Sequence, residues 1–190
     1  FDFDGDGWQD LFLAHGAVTL REEQRGQPYP FGERNLLIRN PGAAGGRFQD
    51  VTAQAGSVFE PLAVSRGVAF GDIDNDGDVD VLVTNNNGPV RLLRNDLPAR
   101  NWLAVQIEGA GLGVGARVEV KATGLPALWR RVHTDSSYLS ASDPRAYFGL
   151  GETSQVESVT VHWPDGSETR RDANVKLNSL LRINALTLFR

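Results

Sequence analysis

The sequence predicts an all-β protein, and three observations predict it. Short apolar runs recur along the 190 residues, at Asn35–Arg39, Gly67–Asp72, Pro89–Arg94, Trp102–Glu108, Ala116–Ala122, Ser158–His162 and Leu180–Asn184. Turn signals punctuate them: Pro41-Gly42, Gly45-Gly46, Asn87-Gly88-Pro89 and Asp165-Gly166. Short strands at this spacing indicate β architecture. No segment sustains a 3.6-residue apolar period between caps, as a helix would.

An acidic stretch opens the chain, Asp2-Phe3-Asp4-Gly5-Asp6-Gly7-Trp8-Gln9-Asp10, and the apolar run Leu11-Phe12-Leu13-Ala14 follows it. The charged, Gly- and Pro-rich residues 15–34 read as a loop inserted after that run. Seventy residues on, the acidic pattern returns as Asp72-Ile73-Asp74-Asn75-Asp76-Gly77-Asp78-Val79-Asp80, again followed by an apolar run, Val81-Leu82-Val83-Thr84. Both copies fit D-x-D-x-D-G-x-x-D, and internal repeats decide architecture. After residue 98 the acidic repeat stops and strand-like alternation continues, most clearly in Arg117-Val-Glu-Val-Lys-Ala122. The boundary divides the chain into residues 1–97 and 98–190.

Composition removes several classes of function. There is no Cys, which excludes disulfides, zinc–thiolate sites and a thiol nucleophile. No apolar run nears the roughly 18 residues of a membrane helix. The net charge is −5, and it is uneven. Residues 1–98 hold 15 acids and 8 bases; residues 99–190 hold 9 acids and 11 bases. An acidic half and scattered arginines argue against nucleic acid as the main partner. With Phe1 first and no Met anywhere, the sequence is expected to be a fragment or a processed product, in which a signal peptide would not be visible.

The repeated pattern has the chemistry of a cation site. A hard cation such as Ca²⁺ takes about 6–8 oxygen ligands. Carboxylates at positions 1, 3 and 5 of a tight loop converge on one point, and Gly at position 6 permits the turn. Position 7 offers its main-chain carbonyl and position 9 another carboxylate. The expected ligands are therefore Asp2, Asp4, Asp6, the Trp8 carbonyl and Asp10 in the first loop. In the second they are Asp72, Asp74, Asp76, the Asp78 carbonyl and Asp80, with the Asp78 side chain pointing to solvent. Nine of the chain's 24 acids lie in these two stretches, and without a cation they repel one another. An EF-hand is excluded, since position 12 is Leu13 or Val83 and strands follow, not a helix. Two structural Ca²⁺ sites are expected.

The stretch from Arg66 to Asn95, with Leu92-Leu-Arg-Asn95 at its end, resembles an FG-GAP/VCBS repeat. The first copy carries a similar follow-on, Asn35-Leu-Leu-Ile-Arg-Asn40 and then Gly46-Arg-Phe-Gln-Asp-Val-Thr52. The second half resembles an ASPIC/UnbV domain in Asn101-Trp-Leu, Gly113-Val-Gly-Ala-Arg117, Tyr138-Leu-Ser140, Phe148-Gly-Leu-Gly151 and Val161-His-Trp-Pro-Asp-Gly166. The order of the two is similar to that of the cartilage acidic protein family and its bacterial relatives. The resemblance implies a partial β-propeller of about two blades, followed by a β-sandwich-like domain. It implies a secreted or cell-surface protein, periplasmic in a bacterium, with Ca²⁺-bearing blades. A closed propeller has about 4–8 blades, so further blades of a longer chain are an expected partner.

Catalytic constellations are weak beside this. Gly111-Leu-Gly-Val-Gly-Ala116 matches a nucleotide-binding fingerprint, but β-like alternation follows where a helix should. His15, His133 and His162 show no metal-binding spacing. Ser136, Ser137 and Ser140 lack a nucleophile elbow. Asp135, Asp143, Glu152 and Asp165 are the acids a glycosidase pair would have to draw on in the second half. Trp102 and Trp163 are expected in the core, and Trp129 outside it. The expected function is a non-catalytic, Ca²⁺-binding adhesion or recognition module for an extracellular protein or glycan. The alternatives are an accessory part of a larger secreted enzyme, for example a carbohydrate-active one, and a purely structural propeller cap.

Overall fold

The computed structural model describes residues 1–20, 22–28, 30–98, 100–172 and 175–185. Its strands form four sheets, and regular helix among the described residues is limited to single 3-10 turns. Two sheets are built from residues 11–93 and two from residues 101–184. Within the expected second unit, 98–190, residues 99, 173, 174 and 186–190 lie outside the described residues, as do residues 21 and 29 of the expected inserted loop.

The first sheet is a meander of β1 (Leu11–Leu13), β2 (Leu36–Arg39) and β3 (Gln49–Asp50). The second joins β4 (Ser65–Gly71), β5 (Asp80–Asn85) and β6 (Arg91–Leu93), again antiparallel throughout. Each acidic stretch immediately precedes the corresponding strand, β1 or β5. Val81 and Val83 on β5 and Val68 on β4 form a small buried core, with Phe1, Phe12, Phe70 and Leu93 packed around it. Phe1 stacks on Phe70, ring centroids 4.8 Å apart, which ties the start of the first acidic loop to the second sheet.

The second unit is a sandwich. Its strands are β7 (Asn101–Glu108), β8 (Arg117–Ala122), β9 (Leu128–Arg131), β10 (Ala146–Gly151), β11 (Val156–His162), β12 (Glu168–Asp172) and β13 (Ser179–Asn184). One sheet runs β10-β7-β13, with β13 parallel to β7; the other runs β12-β11-β8-β9. Alternation decides the faces. Leu103, Val105 and Ile107 of β7, with Ala146, Phe148 and Leu150 of β10, face Val118 and Val120 of β8 and Val159 and Val161 of β11 in one core. Trp163 is buried in that core and its indole N–H donates to Thr169 Oγ1, whereas Trp102, expected there too, is only half-buried, on the opposite face of β7. The glycine-rich stretch from Gly111 to Ala116 is a pair of tight turns running into β8, not the start of a helix.

The two units are joined along β4. This strand has β5 on one side only, and an unpaired edge exposes N–H groups. Residues of the β9–β10 connection cover it. Val68 N–H donates to Ser137 Oγ (3.2 Å) and Phe70 N–H to Ser142 Oγ (3.1 Å), while Asp143 N–H donates to the Phe70 carbonyl (2.9 Å). Of the serines singled out in the sequence, Ser137 thus serves as an edge partner for β4, Ser136 bonds Ser142 beside it, and Ser140 bonds the Tyr138 carbonyl.

The packing carries a prediction. Leu150 is fully buried between the sandwich sheets and Leu92 is half exposed on the outer face of β6. Leu150→Ala should cost about 2–5 kcal/mol in urea unfolding, whereas Leu92→Thr should stay within about 0.5 kcal/mol.

Candidate metal centres

The two acidic stretches fold into the same loop, and their hydrogen bonds correspond atom for atom. Asp2 accepts the N–H groups of Asp6 (3.1 Å) and Gly7 (2.9 Å); Asp72 accepts those of Asp76 (3.2 Å) and Gly77 (3.0 Å). Asp6 Oδ1 accepts from Trp8 N–H and Asp76 Oδ1 from Asp78 N–H. Asp10 Oδ2 takes the Phe3 N–H and Asp80 Oδ2 the Ile73 N–H. The remaining oxygens, Asp10 Oδ1 and Asp80 Oδ1, take the N–H of Asn40 (2.7 Å) and Asn95 (2.8 Å). Gly7 and Gly77 have φ of 94° and 99°, a conformation in which a Cβ is strained.

Three carboxylates converge in each loop. Oxygens of Asp2, Asp4 and Asp10 lie within 4.8 Å of one another, and so do oxygens of Asp72, Asp74 and Asp80. Asp6 and Asp76 stand outside these groups, each bonded to the N–H two residues on. Trp8 and Asp78 occupy the seventh positions. The expectation that the Asp78 side chain points to solvent needs correction. It is half-buried, and burial, together with the charges of Asp76, Asp72, Asp80 and Asp74, raises its pKa to about 6.

The electrostatics are those of a site short of positive charge. Burial raises Asp2 to about 6 against the opposing pull of Arg130 and the Gly7 N–H, and Asp6 and Asp4 raise it further. Burial likewise raises Asp10 to about 6, with the N–H groups of Asn40 and Phe3 opposing. Asp72 is raised by burial as well. Among the described residues, Asp4 Oδ1 is buried with no hydrogen-bond partner. An orphaned carboxylate oxygen beside two more carboxylates, with no nitrogen or sulfur donor in the group, fits a hard divalent cation of the Ca²⁺ type. Asp2, Asp4 and Asp10 would hold one ion and Asp72, Asp74 and Asp80 another.

Arginines surround the loops, and the sequence reading did not assign them. Arg39 Nε bonds Asp4 Oδ2 (2.7 Å) and its NH2 reaches Asp6 (3.2 Å). Arg94, at the matching place after β6, lies 3.8 Å from Asp74 and 2.7 Å from Asp96. The signal was present as Arg-Asn after each of two strands, Arg39-Asn40 and Arg94-Asn95. Arg130 and Arg145 come from the sandwich and had no local signature. The other candidate groups lie apart from the loops' carboxylates, and His133 Nδ1 meets the Asp135 carbonyl oxygen at 2.6 Å. His162 sits between Glu168 (2.9 Å) and Glu119 (3.8 Å) with the Trp129 ring tilted 31° against it, a surface ladder on β8, β9, β11 and β12. Asp135 pairs with Arg131 and Asp143 with Arg145.

With the geometry in hand, the class of protein is defined by its parts. Residues 2–83 match the FG-GAP-like repeat family and residues 108–187 match the ASPIC and UnbV family. The chain thus joins a partial β-propeller of FG-GAP-like repeats to an ASPIC/UnbV domain. It is homologous to cartilage acidic protein 1, which has this architecture. It is 32% identical to the Mus musculus protein over 135 residues, 67% of this chain and 21% of that protein. The Homo sapiens protein gives the same identity over 135 residues, 20% of its length. The Xenopus tropicalis protein is 31% identical over 194 aligned positions, 96% of this chain and 27% of that protein. The chain spans about a fifth to a quarter of these relatives' length.

The raised carboxyl groups set a pH dependence. Metal-free, the folded state holds protons on Asp2, Asp10 and Asp78 up to about pH 6, while the unfolded chain releases them near 3.8. Where the folded state binds more protons, stability falls as pH rises. In chelator, the melting temperature should therefore drop as pH rises from about 4 through 6. Cation binding needs the ionised form, so stabilisation by Ca²⁺ should be large at pH 7.5 and small at pH 5. Melts at both pH values, with and without chelator, check both signs.

Proposed function

We propose that the chain is a non-catalytic, Ca²⁺-binding module of an extracellular protein, with one ion in each repeat loop acting as a structural clip. The observation that carries this is the doubled loop: two carboxylate triads reached through the same hydrogen-bond map from sequences 70 residues apart. Oxygen-only donors suit Ca²⁺, and the loops lead into strands, so no helix pair exists to be opened by the ion. Secretion or display at a cell surface accords with the FG-GAP-like repeats and with homology to a protein named for cartilage. Among the described residues no helix is long and apolar enough to cross a membrane. Adhesion or recognition of an extracellular protein or glycan, with further blades beside these two, is the role this module would serve.

One observation favours a second reading. The β9–β10 connection is bonded to the open edge of β4. A domain that closes a sheet edge acts as a cap, and the ASPIC/UnbV unit would then stabilise the repeats without a ligand of its own.

Calcium should act on stability by mass action, as RT ln(1 + [L]/Kd). A melt in millimolar Ca²⁺ should lie well above melts in Mg²⁺ or chelator; equal melts in all three would end the calcium reading. Asp4→Asn, which alters a carboxylate with one free oxygen, should weaken binding at one site at least tenfold, on the order of 1.4 kcal/mol. It should lower the melt in Ca²⁺ and leave the melt in chelator nearly unchanged.

A further inference from the structure

The two loops turn their carboxylates inward and their carbonyls toward the sandwich. In the first loop the Gly5 carbonyl accepts from Gly151 N–H (2.9 Å) and the Gly7 carbonyl from Arg130 (3.0 Å). Arg130 is anchored on its own side by the Tyr147 carbonyl (2.9 Å) and lies 3.7 Å from Asp2. In the second loop Arg145 donates to the Asp72 carbonyl and to Asn75 Oδ1, both at 3.0 Å, while Asp143 holds it from behind. Close approach is built in on both sides. A Cβ on Gly149 would lie 2.5 Å from Asp2 Oδ2 and from Gly5, and a Cβ on Gly77 would collide with the Trp102 ring. Gly149 and Trp102 are opposite one another in the β10–β7 ladder. One cross-strand pair of the sandwich thus sits against both loops.

We propose that cation occupancy of the two loops and docking of the sandwich are linked, with the outer face of β10 and β7, together with Arg130 and Arg145, serving as a docking face for the ordered loops. The proposal rests on the calcium reading and extends it to a partner surface within the chain. Three of the four oxygens that meet the sandwich belong to residues of positive φ, the Gly5 and Gly7 carbonyls (65° and 94°) and the Asn75 side-chain oxygen (60°); the fourth is the Asp72 carbonyl at the start of the second turn. Those turns persist only while the carboxylates beside them stay together, and like charges drive them apart when no cation is present. An ion that holds the carboxylates also holds the carbonyls in the positions Gly151, Arg130 and Arg145 require. Linkage is reciprocal, so docking must raise cation affinity by the same factor that the cation raises docking.

The test uses the whole 190-residue chain and Ca²⁺ itself. Hydrogen exchange is followed at Val68, Phe70, Asp143 and Gly151, whose N–H groups bond across the interface, and at β8 and β11 amides as an internal reference. Chelation should reduce protection of the four interface amides at least tenfold and leave β8 and β11 protected. Gly149→Ala adds one methyl on the outer face of β10 that presses on Asp2 and the Gly5 backbone, so its readout is the second loop, which is not among its close contacts and whose Ca²⁺ affinity should fall about tenfold in calorimetry. A chain that binds no Ca²⁺ overturns both the linkage and the calcium reading. Normal Ca²⁺ binding with interface protection unchanged by chelator, and with the second loop of Gly149→Ala at wild-type affinity, overturns the linkage alone. If Gly149→Ala loses β8 and β11 protection, the wild-type comparison with and without chelator decides the matter.

Discussion

Asp10 and Asp80 each hold main-chain N–H groups from two distant places, and the repeat half of the molecule is organised around them. Asp10 joins Phe3, in the loop, to Asn40, at the end of β2; Asp80 joins Ile73 to Asn95 in the same way. A carboxylate in this role closes the loop and fixes the strand that returns beside it. Both residues are buried, and so are Asp2 and Asp72. Buried carboxylates at this density are unfavourable as anions unless positive charge is supplied. The main-chain N–H groups supply some of it and Arg39 and Arg94 supply more. At the first loop one oxygen of Asp4 is left without a hydrogen-bond partner by all of them.

The legible part of the fold is the part in which a residue's neighbours in sequence decide its environment. The acidic loops are local: every carboxylate, turn glycine and succeeding strand falls within about a dozen residues. The β8 alternation is local as well, with Val118 and Val120 inside and Arg117, Glu119 and Lys121 outside. Strands β3, β9, β10 and β12 were absent from the apolar runs, β10 because Gly149 and Gly151 alternate with its buried residues, the others for different physical reasons. β12 is Glu-Thr-Arg-Arg-Asp and lies at a sheet edge, where hydrogen bonding to β11 places it and no apolar pattern is needed. β9 has one buried residue, Leu128, and owes its place to pairing with β8. β3 is two exposed residues.

Contacts between the halves were illegible for a related reason. Arg130 donates to a carbonyl 123 positions away in the chain and Arg145 to one 73 away. Nothing near either arginine marks it out from the other bases. Asp78 is the instructive case among the loop residues. Position in the motif suggested a solvent-facing side chain, but it is half-buried and feels the charges of four other acids. A motif specifies which groups face the centre more reliably than where the others are sent.

The pairing of Gly149 with Trp102 explains how a flat sheet face accommodates two loops at once. Each loop has a glycine at its sixth position, required there by backbone conformation. In the second loop that glycine leaves a gap, and Trp102 fills it. In the first loop the bulk comes from the other side, with the Asp2 carboxylate and the Gly5 backbone pressing on the sandwich, so its strand carries the glycine. The large and small residues alternate across one rung of the ladder because the loops present alternate relief. A backbone requirement internal to each loop thereby becomes part of the surface by which the two halves recognise each other. For the same reason, whatever keeps the loops in shape also governs how closely the halves can pack.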